Sequence, residues 1–388
     1  MRIAIISETF LPATDGVVTR LRHTLEELNA LGDEVMVVAP VYPGEENPKS
    51  YAGAFVHRVP GIPFPPYPEI KLSPTNPSVG RALKRFRPDL LHAVNPFILG
   101  IASPYYAKKL GIPMVASYHT NVAEYTRFYG LPFLYNLTRF YTRTIHNMAA
   151  VNLCTSQATL GYLRSEGIER VRLWPQGVDA RLYNPDRRTD EMRRRLSGGR
   201  PDSKLLVFVG RLAPEKGIGR LKTILHKVPD TRLAVVGDGP ARKALEKEFA
   251  GEPVVFTGRL SGEELASAYA SGDAFVFPST TETLGMAMIE GLASGLPVIA
   301  ARSGASSEVV REGVDGLLYE AGNPRSLVES VRRMFEEDGL RERLARGARD
   351  SAENRSWTAS TETVRGYYGE ALAMMNAKVR GTVRAMSR

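Results

Sequence analysis

Residues 277–302 read FPSTTETLGMAMIEGLASGLPVIAAR. An apolar strand over 273–277 runs out into Pro278, a polar turn follows, a helix is expected over 284–294, and a second strand over 297–300. Strand, turn, helix and strand in this order make a parallel crossover unit. Helix N-termini in a parallel sheet point at the ligand crevice. Glu282 stands just before this helix and Glu290 lies inside it. A carboxylate at the mouth and another about two turns in can clamp hydroxyl groups spaced along a long ligand. The same residues also fit a plainer arrangement, with Thr281 or Thr283 as the N-cap, an ordinary Glu beside it and a solvated Glu290. Spacing alone leaves both open.

Upstream, 204–209 is a buried strand followed directly by GRLAPEKG, residues 210–217, and by a helix expected to reach about 226. Arg211 and Lys216 flank that helix mouth on the crevice side, which suits a diphosphate. A surface ion pair with Glu215 is the alternative. Further strands are expected over 232–236 and 254–257, the latter running into Gly258-Arg259-Leu260. The first half repeats this architecture without repeating the sequence. Strand 2–7, the turn 14–17, a helix to about 31 and strand 34–39 form its first crossover. Gly16 sits where backbone can approach an anion at the helix N-terminus. The dinucleotide fingerprint G-x-G-x-x-G is absent, which argues against an NAD site. Strand 113–118 ends at His119, a polar residue just past the C-terminal end of a parallel strand, where it either faces the ligand crevice or caps.

At 388 residues the chain is long enough for two or three domains. Its 43% hydrophobic and 24% charged content is that of a soluble globular protein, and no apolar run is long enough to span a bilayer. MRIAIIS opens as a strand, without signal-peptide architecture. Cys154 is the only cysteine, which excludes an internal disulfide and a cysteine metal cluster, and it is expected to be buried and inert. A cytoplasmic protein, in peripheral contact with the inner face of the cell membrane, fits these features. The net charge of +9 is concentrated, because residues 47–150 carry twelve Lys or Arg against Glu69, Asp89 and Glu124. Such a bias suits phosphates, nucleic acid or an anionic membrane face, and thermophile-style charge enrichment or simple solubility is the alternative. Within it, IPFPPYP at 62–68 reads as a stiff aromatic stretch, either a rigid surface loop or an acceptor wall or membrane-facing edge. Residues 125–150 carry Tyr125, Phe128, Tyr129, Phe133, Tyr135, Phe140 and Tyr141 with Arg127, Arg139 and Arg143 and no acid. A basic, aromatic helical surface suits an anionic bilayer interface, and a core helix with solvated arginines is the alternative.

The run from Glu282 to Glu290, with its continuation EGLASGLPVIA, closely resembles the E-x7-E motif of retaining nucleotide-sugar glycosyltransferases, the large group 1 family. SETF, SYHT, RLWPQGVD and VGRLAPEKG extend the resemblance over nearly the whole chain. Together they look like the GDP-mannose-dependent alpha-mannosyltransferases and the sulfoquinovosyl-diacylglycerol synthases. The resemblance implies an α/β fold of two Rossmann-like domains facing across a cleft (GT-B type). It implies an acceptor-side domain over 1–185, a linker over 186–203, a nucleotide-sugar-binding domain over 204–355 and a C-terminal helix over 356–388 returning to the first domain. By the same resemblance Glu282 contacts the donor sugar, Glu290 the ribose, and Arg211 and Lys216 neutralise the diphosphate. His119 touches the donor sugar, Arg259 and Leu260 lie where relatives hold the base, and Gly16, Gly285 and Gly304 lie near the donor. Two departures stand out: one glycine at Asp15-Gly16 where many relatives have a pair, and Ala305 beside Gly304 where relatives often have a second glycine.

The implied activity is hexosyl transfer with retention, GDP-mannose favoured over UDP-sulfoquinovose or UDP-glucose, to a membrane lipid or glycolipid. A small soluble acceptor is the alternative. No clustered Asp/His set marks a Mg2+ site, so basic residues take the place of a metal and no metal cofactor is expected. No nucleic acid partner is expected, since Glu282 and Glu290 would repel its backbone, which also weighs against a non-enzymatic polyanion-binding module.

Overall fold

Near-continuous apolar runs form strands covered on both faces, and the chain has two sets of them. In the computed structural model, which describes residues 1–64, 67–74, 76–128 and 131–386, they build two parallel sheets in two units. One unit is Met1–Gly177 with Trp357–Arg388, and the other is Val178–Ser356.

The first unit orders its strands Val171–Leu173, Val151–Cys154, Met114–Tyr118, Leu90–Val94, Arg2–Ser7, Glu34–Pro40 and Ala54–Val59, all parallel, with Ser50–Tyr51 antiparallel at the edge. Ile3 stands beside both Val35 and Leu90 in this register. Alternate side chains go to opposite faces. Ile3, Ile5, Val35 and Val37 meet Leu21, Leu25 and Leu28 of the helix Gly16–Ala30. Ala4, Ile6, Met36 and Val38 meet Val79 and Leu83 of the helix Pro77–Phe86. Burying each Leu or Ile is worth roughly 1.5–3 kcal/mol. The helix Trp357–Met386 packs on the first of these faces through Val364, Tyr368 and Ala371.

The second unit orders Val254–Gly258, Thr231–Val236, Lys204–Val209, Ala274–Phe277, Val298–Ala301 and Gly316–Tyr319, all parallel. Leu205, Val207 and Val209 face one core, and Leu206 and Phe208 the other.

Four local expectations change. The stretch 186–203, expected as a linker, carries the helix Asp190–Leu196, capped by Thr189, whose Oγ1 accepts from the Met192 N–H at 3.2 Å. Met192 and Leu196 are buried in the second unit's core, and the buried Arg193 pairs with Asp273 at 2.8 Å, so this stretch is structural. The helix expected to begin after Gly217 does not begin there. Two short 3-10 turns, Pro214–Lys216 and Ile218–Leu221, precede a six-residue helix, Lys222–Lys227, because Gly217 takes the left-handed conformation at φ +65° and breaks the run. The helix of the acidic motif starts at Met286 rather than Leu284, with Gly285 left-handed (φ +83°) ahead of it. The aromatic run 62–68 is not one loop: Ile62–Phe64 pairs antiparallel with Tyr67–Leu72, and residues 65–66 lie outside the described residues.

Candidate functional site

In the second unit, strand ends and glycines position the charged side chains. Strand Lys204–Val209 delivers Gly210 and then Arg211. Gly237, at the end of Thr231–Val236, holds that loop closely, since a Cβ there would lie 1.9 Å from the Gly210 carbonyl oxygen. Lys216 follows on the first 3-10 turn. Strand Ala274–Phe277 and the turn after it bring Glu282 to the same place. The Lys216 ammonium donates directly to Glu282 Oε1, across 66 residues of sequence, and the Ser279 hydroxyl lies 3.4 Å from the same oxygen. Both charged side chains are mostly buried, 15% exposed for Lys216 and 20% for Glu282. Arg211 does contact Glu215, at 3.4 Å, but Glu215 is buried, so this is not a surface pair.

The change at 214–221 removes one expected source of positive potential. A six-residue helix starting at Lys222 adds little dipole field at Lys216, so the local positive charge resides on Arg211 and Lys216 themselves.

Glu290 is carried inward on the helix Met286–Ala293. The Tyr269 hydroxyl donates to its Oε2 at 2.9 Å, and the Tyr183 hydroxyl donates to the carboxyl as well. The two tyrosine rings meet edge to face, 5.7 Å apart. Burial pushes the Glu290 carboxyl up to about 7, with the two hydroxyls holding it partly down. It is therefore neither solvated nor an ordinary surface acid. Arg259 is exposed, whereas the Leu260 side chain is buried with Val209 and Val236 in the core. Gly304 opens the short helix Gly304–Val309, capped by Ser303.

In the first unit, His119 follows the last residue of strand Met114–Tyr118. Its Nε2 lies 2.8 Å from Ser117 Oγ, and its ring meets the edge of the buried Trp174 at 5.8 Å. Burial, with the Arg20 cation and the rings of His92 and His146 nearby, holds its basicity well below the usual histidine range. Arg20 is itself buried, lies over the Trp174 ring at 4.4 Å, and donates to the Trp174 and Pro175 carbonyls and to Gln176. At the first helix the structure departs from the expected open anion mouth. The Asp15 carboxylate already accepts from the N–H groups of Val17 and Val18 at 2.8 and 2.9 Å, so a ligand at Gly16 meets an occupied N-terminus. Glu8 fills a second such position, accepting from the N–H groups of Phe97, Ile98, Leu99 and Gly100. Cys154 is buried, with its Sγ 3.6 Å from the Ser156 and Arg172 carbonyls.

The basic aromatic segment is two helices, Val122–Phe128 and Tyr135–Asn147, with Tyr129 and the side chains of Tyr125 and Phe128 outside the described residues. Thr138, Ile145 and His146 turn inward. Phe133, Leu137 and Phe140 recur at helical spacing and stay 74%, 63% and 59% exposed. This segment is therefore a surface and not a core helix. Two of its three arginines are tied down, Arg127 to Glu124 at 3.2 Å and Arg139 to Glu166 at 2.8 Å, whereas Arg143 stays exposed beside Phe140.

The sequence singled out Lys216, Glu282, Glu290 and His119 as candidates but not the other side chains that hold them. Tyr269, Tyr183 and Ser279 carry no local motif, and Ser117, although it opens SYHT, is not marked by that motif as a partner of His119. Among the described residues, no group of three or more His, Cys, Asp or Glu side chains is placed to hold a metal ion, and no helix is long and apolar enough to cross a membrane.

Comparison with known proteins gives this geometry its family. Residues 190–351 match the family described as glycosyl transferases group 1, and residues 14–182 match glycosyltransferase family 4. A GDP-mannose-dependent alpha-mannosyltransferase of Mycobacterium tuberculosis is 39% identical over 95% of this chain and 96% of its own length. A sulfoquinovosyl transferase of Arabidopsis thaliana is 38% identical over 90% of this chain and 69% of its own. The solved sucrose-phosphate synthase of Thermosynechococcus elongatus superposes with a TM-score of 0.79 at 21% identity, covering 96% of this chain and 99% of that one, which shows a shared fold. The two parallel α/β sheets, the family matches over both halves and the relatives matched over 90% or more of this chain make it a glycosyltransferase of the GT-B fold, a member of the group 1 family related to the GDP-mannose-dependent mannosyltransferases and the sulfoquinovosyl transferases.

Proposed function

We propose that the chain transfers a hexosyl group, with retention, from a nucleoside diphosphate sugar to a membrane lipid or glycolipid, with GDP-mannose as the donor. The observation that carries the transfer reading is the meeting of Lys216 and Glu282 beside Arg211. Breaking the bond between the anomeric carbon and the diphosphate leaves negative charge on the leaving oxygen. Arg211 and Lys216 stabilise that charge in a site where both side chains are largely screened from water. Glu282, on the other side of the same ammonium, accepts hydroxyl groups of the sugar. Glu290 accepts a ribose hydroxyl in place of Tyr269 or Tyr183, and the turn at Arg259 and Leu260 receives the base through its backbone. His119 contacts the donor sugar. The acceptor hydroxyl attacks the same face that the diphosphate leaves, and a donor phosphate oxygen takes its proton.

Two features support a lipid acceptor: the excess of basic residues over 47–150 and the exposed apolar line Phe133, Leu137 and Phe140. Mannose is favoured because whole-length relatives carry that specificity in their names. The test is a donor screen of GDP-mannose, UDP-glucose and UDP-sulfoquinovose, with membrane extract as acceptor and products read by mass spectrometry. A hexose added to a lipid from GDP-mannose is the expected product. Transfer only from a UDP-sugar overturns the mannose assignment, and efficient transfer only to water-soluble acceptors overturns the lipid one.

A further inference from the structure

Four side chains that the transfer reaction does not otherwise use as a set form one line in the first unit. The Tyr368 hydroxyl lies 2.8 Å from His92 Nδ1, His92 Nε2 lies 2.9 Å from Ser117 Oγ, and Ser117 Oγ lies 2.8 Å from His119 Nε2. Tyr368, His92 and Ser117 are fully buried. We infer that Tyr368, His92 and Ser117 act as positioning residues that fix His119 in the tautomer protonated on Nδ1, so that it presents an N–H donor to an oxygen of the sugar donor. This inference rests on the reading of His119 as a donor-sugar contact.

The argument is a count of protons. Among the described residues the Tyr368 hydroxyl has no hydrogen-bond partner except His92 Nδ1. A buried O–H left without an acceptor is costly, so Tyr368 donates and His92 Nδ1 accepts. A neutral His92 then carries its proton on Nε2 and donates to Ser117 Oγ. The serine hydroxyl has one proton, and it goes to His119 Nε2. A neutral His119 is left with its proton on Nδ1. The opposite order, or a charged His119, needs Nε2–H to donate to Ser117. Either that reverses every link and strands the Tyr368 proton, or Ser117 Oγ accepts from both rings and its own proton has no acceptor among the described residues. Neighbouring charge acts in the same sense: the buried Arg20 cation disfavours protonation of both His92 and His119, and His146, the other ring facing His119, is buried and bonded to Asn152.

Histidine side-chain 15N NMR of the full chain tests this directly. The chain has six histidines, and the His119→Gln spectrum assigns the one of interest. The expected result is a neutral His119 with its hydrogen on Nδ1 and a neutral His92 with its hydrogen on Nε2. A hydrogen on His119 Nε2, alone or in an imidazolium, overturns the inference. Kinetics supply the second arm. Ser117→Ala should lower transfer by about tenfold, the worth of one hydrogen bond, and should mix the His119 tautomers. The loss should vanish in a His119→Ala background, whereas a merely structural serine would give additive losses and overturn the positioning role. If His119→Ala leaves transfer intact, the donor-contact reading fails, and the spectrum still decides the relay.

Discussion

Glu290 is pushed up to about 7, so it changes charge in the range where such an enzyme is assayed. Between the ordinary 4.5 and about 7, the folded chain holds a proton that the unfolded chain has released, so this group's contribution to stability falls as pH rises through that window. Binding has the reverse sign. A ribose hydroxyl that donates to Glu290 needs the carboxylate, so nucleoside diphosphate affinity should fall as pH drops below about 7, with a proton released on binding at pH near 6. Calorimetry in two buffers of different ionisation enthalpy reads that proton, and subtracting the Glu290→Gln titration removes the part due to the diphosphate itself. Identical buffer dependence in the two proteins would falsify the ribose assignment. Lys216 and Glu282 give a second contrast. Lys216→Ala removes a charge-assisted contact and should weaken diphosphate binding by about 1.5–3 kcal/mol. Glu282→Gln releases Lys216 from its pair, so diphosphate affinity should hold or rise while hexosyl transfer drops. A parallel loss of diphosphate affinity in both variants counts against this division. At this scale the acidic pair was legible because its spacing is local. Tyr269 and Tyr183 were not, because contacts that close only in three dimensions leave no pattern along the chain.

Elements show the same divide. The strands were readable because a strand covered on both faces must be an apolar run, and that requirement is written residue by residue. Some helix starts were not, although the first helix opens at the expected turn. Gly217 breaks the run after Lys216, and Thr189 caps a helix inside a stretch whose charge suggested a linker, where Met192 and Leu196 are the apolar side chains that enter the core. The loop carrying Arg211 depends on a contact between elements, the approach of Gly237 to the Gly210 carbonyl. Gly237→Ala places a methyl 1.9 Å from a backbone oxygen that cannot swing aside. The expected loss exceeds the roughly 1–3 kcal/mol of ordinary overpacking, and diphosphate affinity falls with it because Arg211 moves. Gly251→Ala is the matched control: its φ is also positive (+82°), but nothing lies within 4 Å, so it should cost only about 1–2 kcal/mol of left-handed strain and leave binding alone. Urea midpoints and calorimetry on both variants check this, and equal losses would mean that the close approach does not hold the loop.

For the molecule as a whole, the charge excess over 47–150 was plain in the sequence, but which charges face solvent was not. Arg58 is tied to the carbonyls of Leu11, Pro40 and Pro48, which fix its position, whereas Glu124 and Glu166 offset the charges of Arg127 and Arg139. Lys84, Arg85, Lys108, Lys109 and Arg143 are exposed. Attraction of exposed cations to an anionic bilayer is worth about 1 kcal/mol each close to the surface and decays within a Debye length, about 8 Å at physiological salt. Inserting an exposed Leu or Phe adds roughly 1.5–3 kcal/mol and is nearly indifferent to salt. The two terms can therefore be separated. Vesicle flotation should show binding to anionic vesicles at low salt, partial loss at high salt, and weak binding to neutral vesicles. The double variant Leu137→Ser/Phe140→Ser removes apolar contact without touching a charge. It should lower binding by at least about tenfold at every salt concentration while leaving the salt slope unchanged. If the wild-type chain fails to float on anionic vesicles at low salt, or the double variant floats as well as the wild type, this helix is not the surface that meets the lipid acceptor.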